Sequence, residues 1–167
     1  MLVKVNTAAV NALTAIPVSL EVTTEKAQQY MFFMVGLPDS VVRESRTRVE
    51  EAIKSSNFHL PPMTKIVVNF APADVRKEGS GYDLPLALGI LAANSLIQSE
   101  KLEDIIFIGE LGLDGSLRPI KGALPIAIKA RAMGYKALIV PKENVREAAV
   151  VNKLPVYGAE TLAQVVD

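Results

Sequence analysis

Apolar and polar residues partly alternate, with β-branched residues prominent, over "LVKVNTAAV" and "IPVSLEVTT", and a third apolar segment, "YMFFMVGLP", closes at Gly36 and Pro38. A period of two sends successive side chains to opposite faces, so the chain is predicted to open as β-sheet. The spacing then becomes helical: Val42, Val49, Ala52 and Ile53 share a face, Glu44/Arg48 and Glu50/Lys54 stand four apart, and Asp39 and Ser40 are candidate caps. After "NFHLPPM", the segment "KIVVNFA" reads as a buried strand, and the turn "RKEGSGYD" leads into an apolar helix expected from about Asp83 to Ile97.

Within "IIFIGELGLDGSLRPI" the pair Asp114-Gly115 lies between two short apolar-bearing arms, which predicts a hairpin. From Gly122 onward the pattern runs helix ("ALPIAIKARAMG", with Gly134 as C-cap), strand ("KALIVP"), short helix ("NVREAAVV"), short strand and final helix ("AETLAQVVD"). No low-complexity linker and no internal repeat interrupts this order, so residues 1–167 are expected to form a single α/β domain.

Composition agrees with that reading. Half of the residues are hydrophobic and only 5% are aromatic, so the core is expected to be aliphatic. Eighteen basic residues balance eighteen acidic ones, which argues against a dedicated nucleic-acid binder while leaving room for a local basic patch. With no cysteine there is no disulfide framework, thiolate nucleophile or Cys-ligated zinc site. The run Leu84 to Ile97 is shorter than the roughly 20 residues that span a bilayer, and the N-terminus lacks a cationic segment leading an apolar core. A cytoplasmic protein without a membrane partner is expected.

The glycine turn invites three chemical readings. A P-loop would need Gly-Lys-Ser/Thr after Gly79 and Gly81, and a nucleophile elbow would need glycines two residues on either side of Ser80; neither pattern is present. A Ser-His-Asp triad would have to use His59, the only histidine, which reads as a loop residue, and no spacing supports a metal site. Ser80 and Asp83 instead read as the structural start of the following helix, with Gly79 and Gly81 supplying turn geometry and anion binding at that turn as the alternative. Candidate phosphate contacts are Arg76 and Lys77 on the loop, then Arg43 and Arg46 with Arg48 on the first helix, where Glu44, Glu50 and Glu51 offer a competing salt-bridged reading.

Four ordered segments, "VGLPDSVVRESRTRVEEAI", "NFAPADVRKEGSGYDLPLALGILAA", "GELGLDGSLRPIKGALPIA" and "ALIVPKENVREAA", resemble the N-terminal domain of the ComM/YifB family of magnesium-chelatase-like AAA+ ATPases. The resemblance implies a ChlI-like, Lon-protease-domain-like fold, related to the RadA C-terminal domain and to the second domain of a ribosomal small-subunit protein, with a left-handed βαβ unit. It implies no cofactor in this chain, with ATP and magnesium bound by an AAA+ module that family members carry beyond the position of Asp167. Laid on this sequence, the serine position of Lon-type proteases falls on Gly81, with Ser80 one residue early, and the lysine position falls near Leu124 or Ile126, with Lys121 a few residues ahead.

A Ser80/Lys121 dyad would therefore need a shifted register on both elements, and no catalytic residue is assigned. What the resemblance implies is a non-catalytic accessory domain that helps a hexameric DNA branch-migration motor engage DNA or assemble, with the AAA+ module, other copies and DNA as partners. A purely structural oligomerisation or protein-interaction domain is the alternative, and a Ser-Lys peptidase the third reading.

Overall fold

A computed structural model describes residues 1–11, 13–72, 77 and 80–167, with Asp39 described by its backbone alone. The expected opening strands form as β1 (Leu2–Asn11), β2 (Thr14–Lys26) and β3 (Met31–Val35), followed by helix α1 (Asp39–Ser55) and strand β4 (Thr64–Ala71). Helix α2 (Asp83–Ala93) leads to β5 (Ile105–Phe107) and to the small hairpin β6 (Glu110–Leu111) and β7 (Leu117–Arg118). Helix α3 (Ala123–Ala132), β8 (Ala137–Pro141), α4 (Val145–Ala148), β9 (Val156–Ala159) and α5 (Leu162–Val166) complete the chain.

The main sheet has the order β3-β4-β2-β1-β5-β8-β9. β1 and β2 pair antiparallel from Leu2–Thr23 to Asn11–Thr14, and β4 adds antiparallel to β2; the remaining neighbours pair in parallel. The fold is thus mixed α/β with mostly parallel pairings. Strand alternation sends Val3, Val5 and Ala9 into a core with α1 and α2, and Ala8 into a second core with α3. Helices therefore cover both faces of the sheet.

All eleven residues of α2 are buried, which explains why its sequence is apolar all round instead of amphipathic. It packs on β1 and β2, under α1 and the hairpin. Gly89 permits the close approach, since a Cβ there would stand 2.7 Å from Val22 Cγ2. The helix ends at Ala93, short of the expected Ile97, because the Asn94 amide donates to Ile90 O at 2.9 Å and Ser95 takes a positive φ of 60°.

Two further expectations are corrected. Ile105–Phe107, predicted as an arm of the hairpin, joins the main sheet beside β1, so the hairpin is confined to β6 and β7 around the turn where Gly115 has φ 85°. On α1 the Glu44/Arg48 pair forms at 3.9 Å, but Glu50 bonds Arg46 at 3.1 Å and accepts the Tyr30 hydroxyl, leaving Lys54 to Glu51 at 3.8 Å. Pro38, extended at φ −60° and ψ 147°, occupies the cap position without a side-chain cap hydrogen bond.

Candidate functional site

The turn before α2 is built by backbone pairing. Gly109 N donates to Gly81 O at 2.9 Å, and Leu84 N donates to Gly109 O at 3.0 Å, so the strand-end glycine after β5 does the capping expected of Ser80 and Asp83. With Asp83 N on Ser80 O and Leu86 N on Tyr82 O, the first-turn N–H groups are engaged, which removes the basis for an anion at this helix end. Tyr82 packs its ring edge-on against Phe70 of β4, centroids 5.8 Å apart.

Asp83 begins α2, yet its side chain serves no cap. The fully buried carboxylate accepts Arg48 Nε at 2.6 Å, Arg48 Nη2 at 3.2 Å, Ser45 Oγ at 2.8 Å and Leu111 N at 3.1 Å. One group thereby ties α1, α2 and the hairpin together. Burial pushes the Asp83 carboxyl above its ordinary value, and the Arg48, Leu111 and Ser45 donors oppose that rise. Hydrogen bonding to Asp83 pushes the Arg48 guanidinium higher still. Arg48 is accordingly withdrawn from the candidate phosphate contacts.

The other nominated cations differ in exposure and pairing. Lys77 is only 3% exposed and donates from Nζ to Gly36 O at 3.2 Å, so its ammonium faces the protein interior. Arg46 pairs with Glu50 and lies over the rings of Tyr30 and Phe32, at 5.9 and 5.4 Å from their centroids. Arg43 is exposed. Arg76 and Gly79 lie outside the described residues.

A groove of about 990 Å³ opens in front of the turn. Ser80, Gly81 and Tyr82 line it from one element, Ala8 to Val10 and Leu13 from the β1–β2 end, Ile108 and Glu110 from the region after β5, and Pro119 to Gly122 with Leu124, Pro125 and Ile128 from the approach to α3. Leu13, Ile128 and Val10 are 89%, 55% and 36% exposed. Asn144 holds one wall: its Oδ1 accepts Ile120 N at 3.0 Å and its Nδ2 donates to Ile120 O at 2.8 Å. At another point Glu147 accepts Leu124 N at 3.0 Å.

Ser80 and Lys121 both border this groove, and Lys121 is exposed. Of the two positions where the resemblance puts a lysine, Leu124 lines the groove and Ile126 is fully buried. His59 is exposed and lines a separate hollow of about 410 Å³ with Tyr30 and Glu50. Among the described residues no group of three or more His, Asp or Glu side chains is placed to hold a metal ion, and no helix is long and apolar enough to cross a membrane. The apolar groove was missed from sequence; its one visible signal was Leu13, a large aliphatic residue at a strand-to-strand turn.

Residues 20–144 match the family described as subunit ChlI of Mg-chelatase, and the chain belongs to that family. Its relatives include the competence protein ComM of Haemophilus influenzae, 42% identical over 81% of this chain and 26% of that protein. The YifB protein of Escherichia coli is 41% identical over 89% of this chain and 29% of its own length. A fainter similarity, 25% identity over 80% of this chain and 21% of the relative, reaches the archaeal Lon protease of Thermococcus kodakarensis. The chain thus spans between a quarter and a third of the ComM and YifB proteins it matches.

Proposed function

We propose that the chain is a non-catalytic accessory module of a ComM/YifB-type, magnesium-chelatase-like ATPase, acting through protein contacts that help assemble a ring of subunits. On this reading ATP and magnesium belong to an AAA+ module, the chain itself takes no cofactor, and DNA is contacted elsewhere in the longer assembly. The observation that carries the proposal is the exposed apolar groove beside the glycine turn, whose wall bears Leu13, Val10 and Ile128. Large exposed aliphatic side chains gathered at one concavity favour a protein partner over a phosphate backbone.

The nominated cations support the same choice. Lys77 is buried, Arg48 is committed to Asp83, and Arg46, 41% exposed at its side chain, is paired with Glu50, which leaves Arg43 as the exposed, nominated cation among the described residues. DNA binding by counterion release needs several accessible cations on one face. The peptidase reading loses support at both of its positions. A Cβ at Gly81 would stand 2.9 Å from Ile108 Cγ1, and Leu124 and Ile126 are aliphatic. The exposed Lys121 lacks the burial that turns a lysine into a general base.

Fluorescence anisotropy of the chain with single-stranded and forked DNA across a salt series tests the proposal. Absence of salt-sensitive binding is expected. Binding that weakens steeply with salt and falls in Arg43→Ala or Arg76→Ala would transfer the function to DNA engagement.

A further inference from the structure

We infer that the outer face of α3, with the groove mouth beside it, receives an acidic, aliphatic-bearing segment of a partner polypeptide; this rests on the protein-contact reading above and names the chemistry of the partner. Residues 115–142 carry Arg118, Lys121, Lys129, Arg131, Lys136 and Lys142 and no Asp or Glu. Lys136 and Lys142 are paired, with Asp104 at 3.4 Å and Glu160 at 3.3 Å. Lys121, Lys129 and Arg131 make no ion pair or side-chain hydrogen bond among the described residues, and Lys121 and Arg131 are exposed.

Leu124, Ile128 and Arg131, at i, i+4 and i+7, share one face of the helix, and Lys121 borders the same groove just ahead of its first turn. Aliphatic side chains thus lie between unpaired cations, with Ile128 55% exposed. The helix dipole attracts cations to its last turn, which accounts for Lys129 and Arg131. It accounts neither for Lys121 at the opposite end nor for Ile128 in solvent. A nucleic-acid backbone would set phosphates against Leu124 and Ile128, whereas a segment bearing carboxylates around Leu or Ile neutralises the cations and covers the aliphatic groups together. The groove's own carboxylates, Glu110 and Glu147, pair with none of these cations, Glu147 being held by Leu124 N at 3.0 Å. The groove wall is also set in advance: Asn144 pins the Ile120 backbone, which lowers the ordering cost of association.

A library of random short peptides displayed on phage and selected against the chain provides the test. The retained peptides are expected to be rich in Asp and Glu beside Leu, Ile or Val. One of them, resynthesised, should bind about 10-fold more weakly to Arg131→Glu and to Ile128→Ser, which change exposed side chains and leave the core intact. Lys101→Glu, an equal charge change on an exposed residue ahead of β5, should bind it as the native chain does. Retention of neutral or basic peptides, no retention at all, or equal binding by all three variants overturns the inference. Displacement of the peptide by forked DNA overturns it as well, since the stripe would then be a phosphate surface. A pool of neutral aliphatic peptides would remove the acidic partner and leave the accessory-module proposal standing, whereas that proposal fails separately on salt-sensitive DNA binding.

Discussion

Asp83 at the start of α2 and Arg48 in the middle of α1 meet at 2.6 Å, with the carboxylate fully buried and the guanidinium side chain 21% exposed. Their pairing joins two helices whose apolar faces already pack together, and adds the Leu111 amide of the hairpin to the same point. Breaking such a pair costs more than the pair itself contributes, because a buried charge is left behind.

Arg48→Met should therefore destabilise the fold by about 3 kcal/mol, more than either the Glu44 contact or an exposed ion pair explains. Urea unfolding of Arg48→Met, Asp83→Asn and the double variant would measure it. The double variant should recover part of the loss.

Stability should also depend on pH through Asp83. Its folded pKa lies above its unfolded value, chiefly through burial, so the folded state holds the proton more tightly. The resulting stabilisation is complete below the ordinary aspartate range and is lost as pH rises through the raised folded value. In Asp83→Asn this slope should vanish, leaving a constant offset from the unpaired Arg48. Unfolding free energies of both proteins across the acidic range would reveal the difference, and parallel curves would refute it.

Gly89→Ala sets two effects against each other. Alanine gains about 1 kcal/mol of helix propensity over glycine, but its methyl would sit 2.7 Å from Val22 Cγ2, in a core where Val22 is fully buried. Overpacking of that kind costs about 1–3 kcal/mol, so a net loss of about 1 kcal/mol is expected. Val22→Ala in the same chain should relieve the clash, a compensation that thermal unfolding can measure.

Asn144→Ala should loosen the groove. Both the N–H and the C=O of Ile120 lose their partner, at a cost of about 2 kcal/mol. Hydrogen exchange at the Ile120 amide should accelerate well beyond that of core amides such as Leu20. An unchanged rate would mean that the wall is held by other contacts.

The sheet was largely legible because β1, β2 and β4 have β-branched residues matched to their buried positions, and Asp114-Gly115 directly marked the turn of the separate β6–β7 hairpin. The hairpin arms were harder: Ile105–Phe107 has the composition of any short strand, and only the tertiary neighbour β1 decides where it pairs. Asp83 misled for a physical reason, since a short carboxylate at a helix start is the usual signature of a cap, whereas its true partner lies 35 positions away. Lys77 misled likewise, as a lysine in a glycine-bearing loop is ordinarily solvated. The groove had little local signature beyond Leu13, being assembled from five separated stretches of chain.

Helix α2 has no face that tolerates water, yet β1, β2 and α1, which cover most of it, precede it in the chain. During synthesis its eleven residues would emerge onto a platform already made, rather than waiting exposed for one. The order of elements thus offers protection against aggregation that the finished structure no longer needs. Moving those strands behind α2 by circular permutation would preserve every native contact and forfeit that shelter.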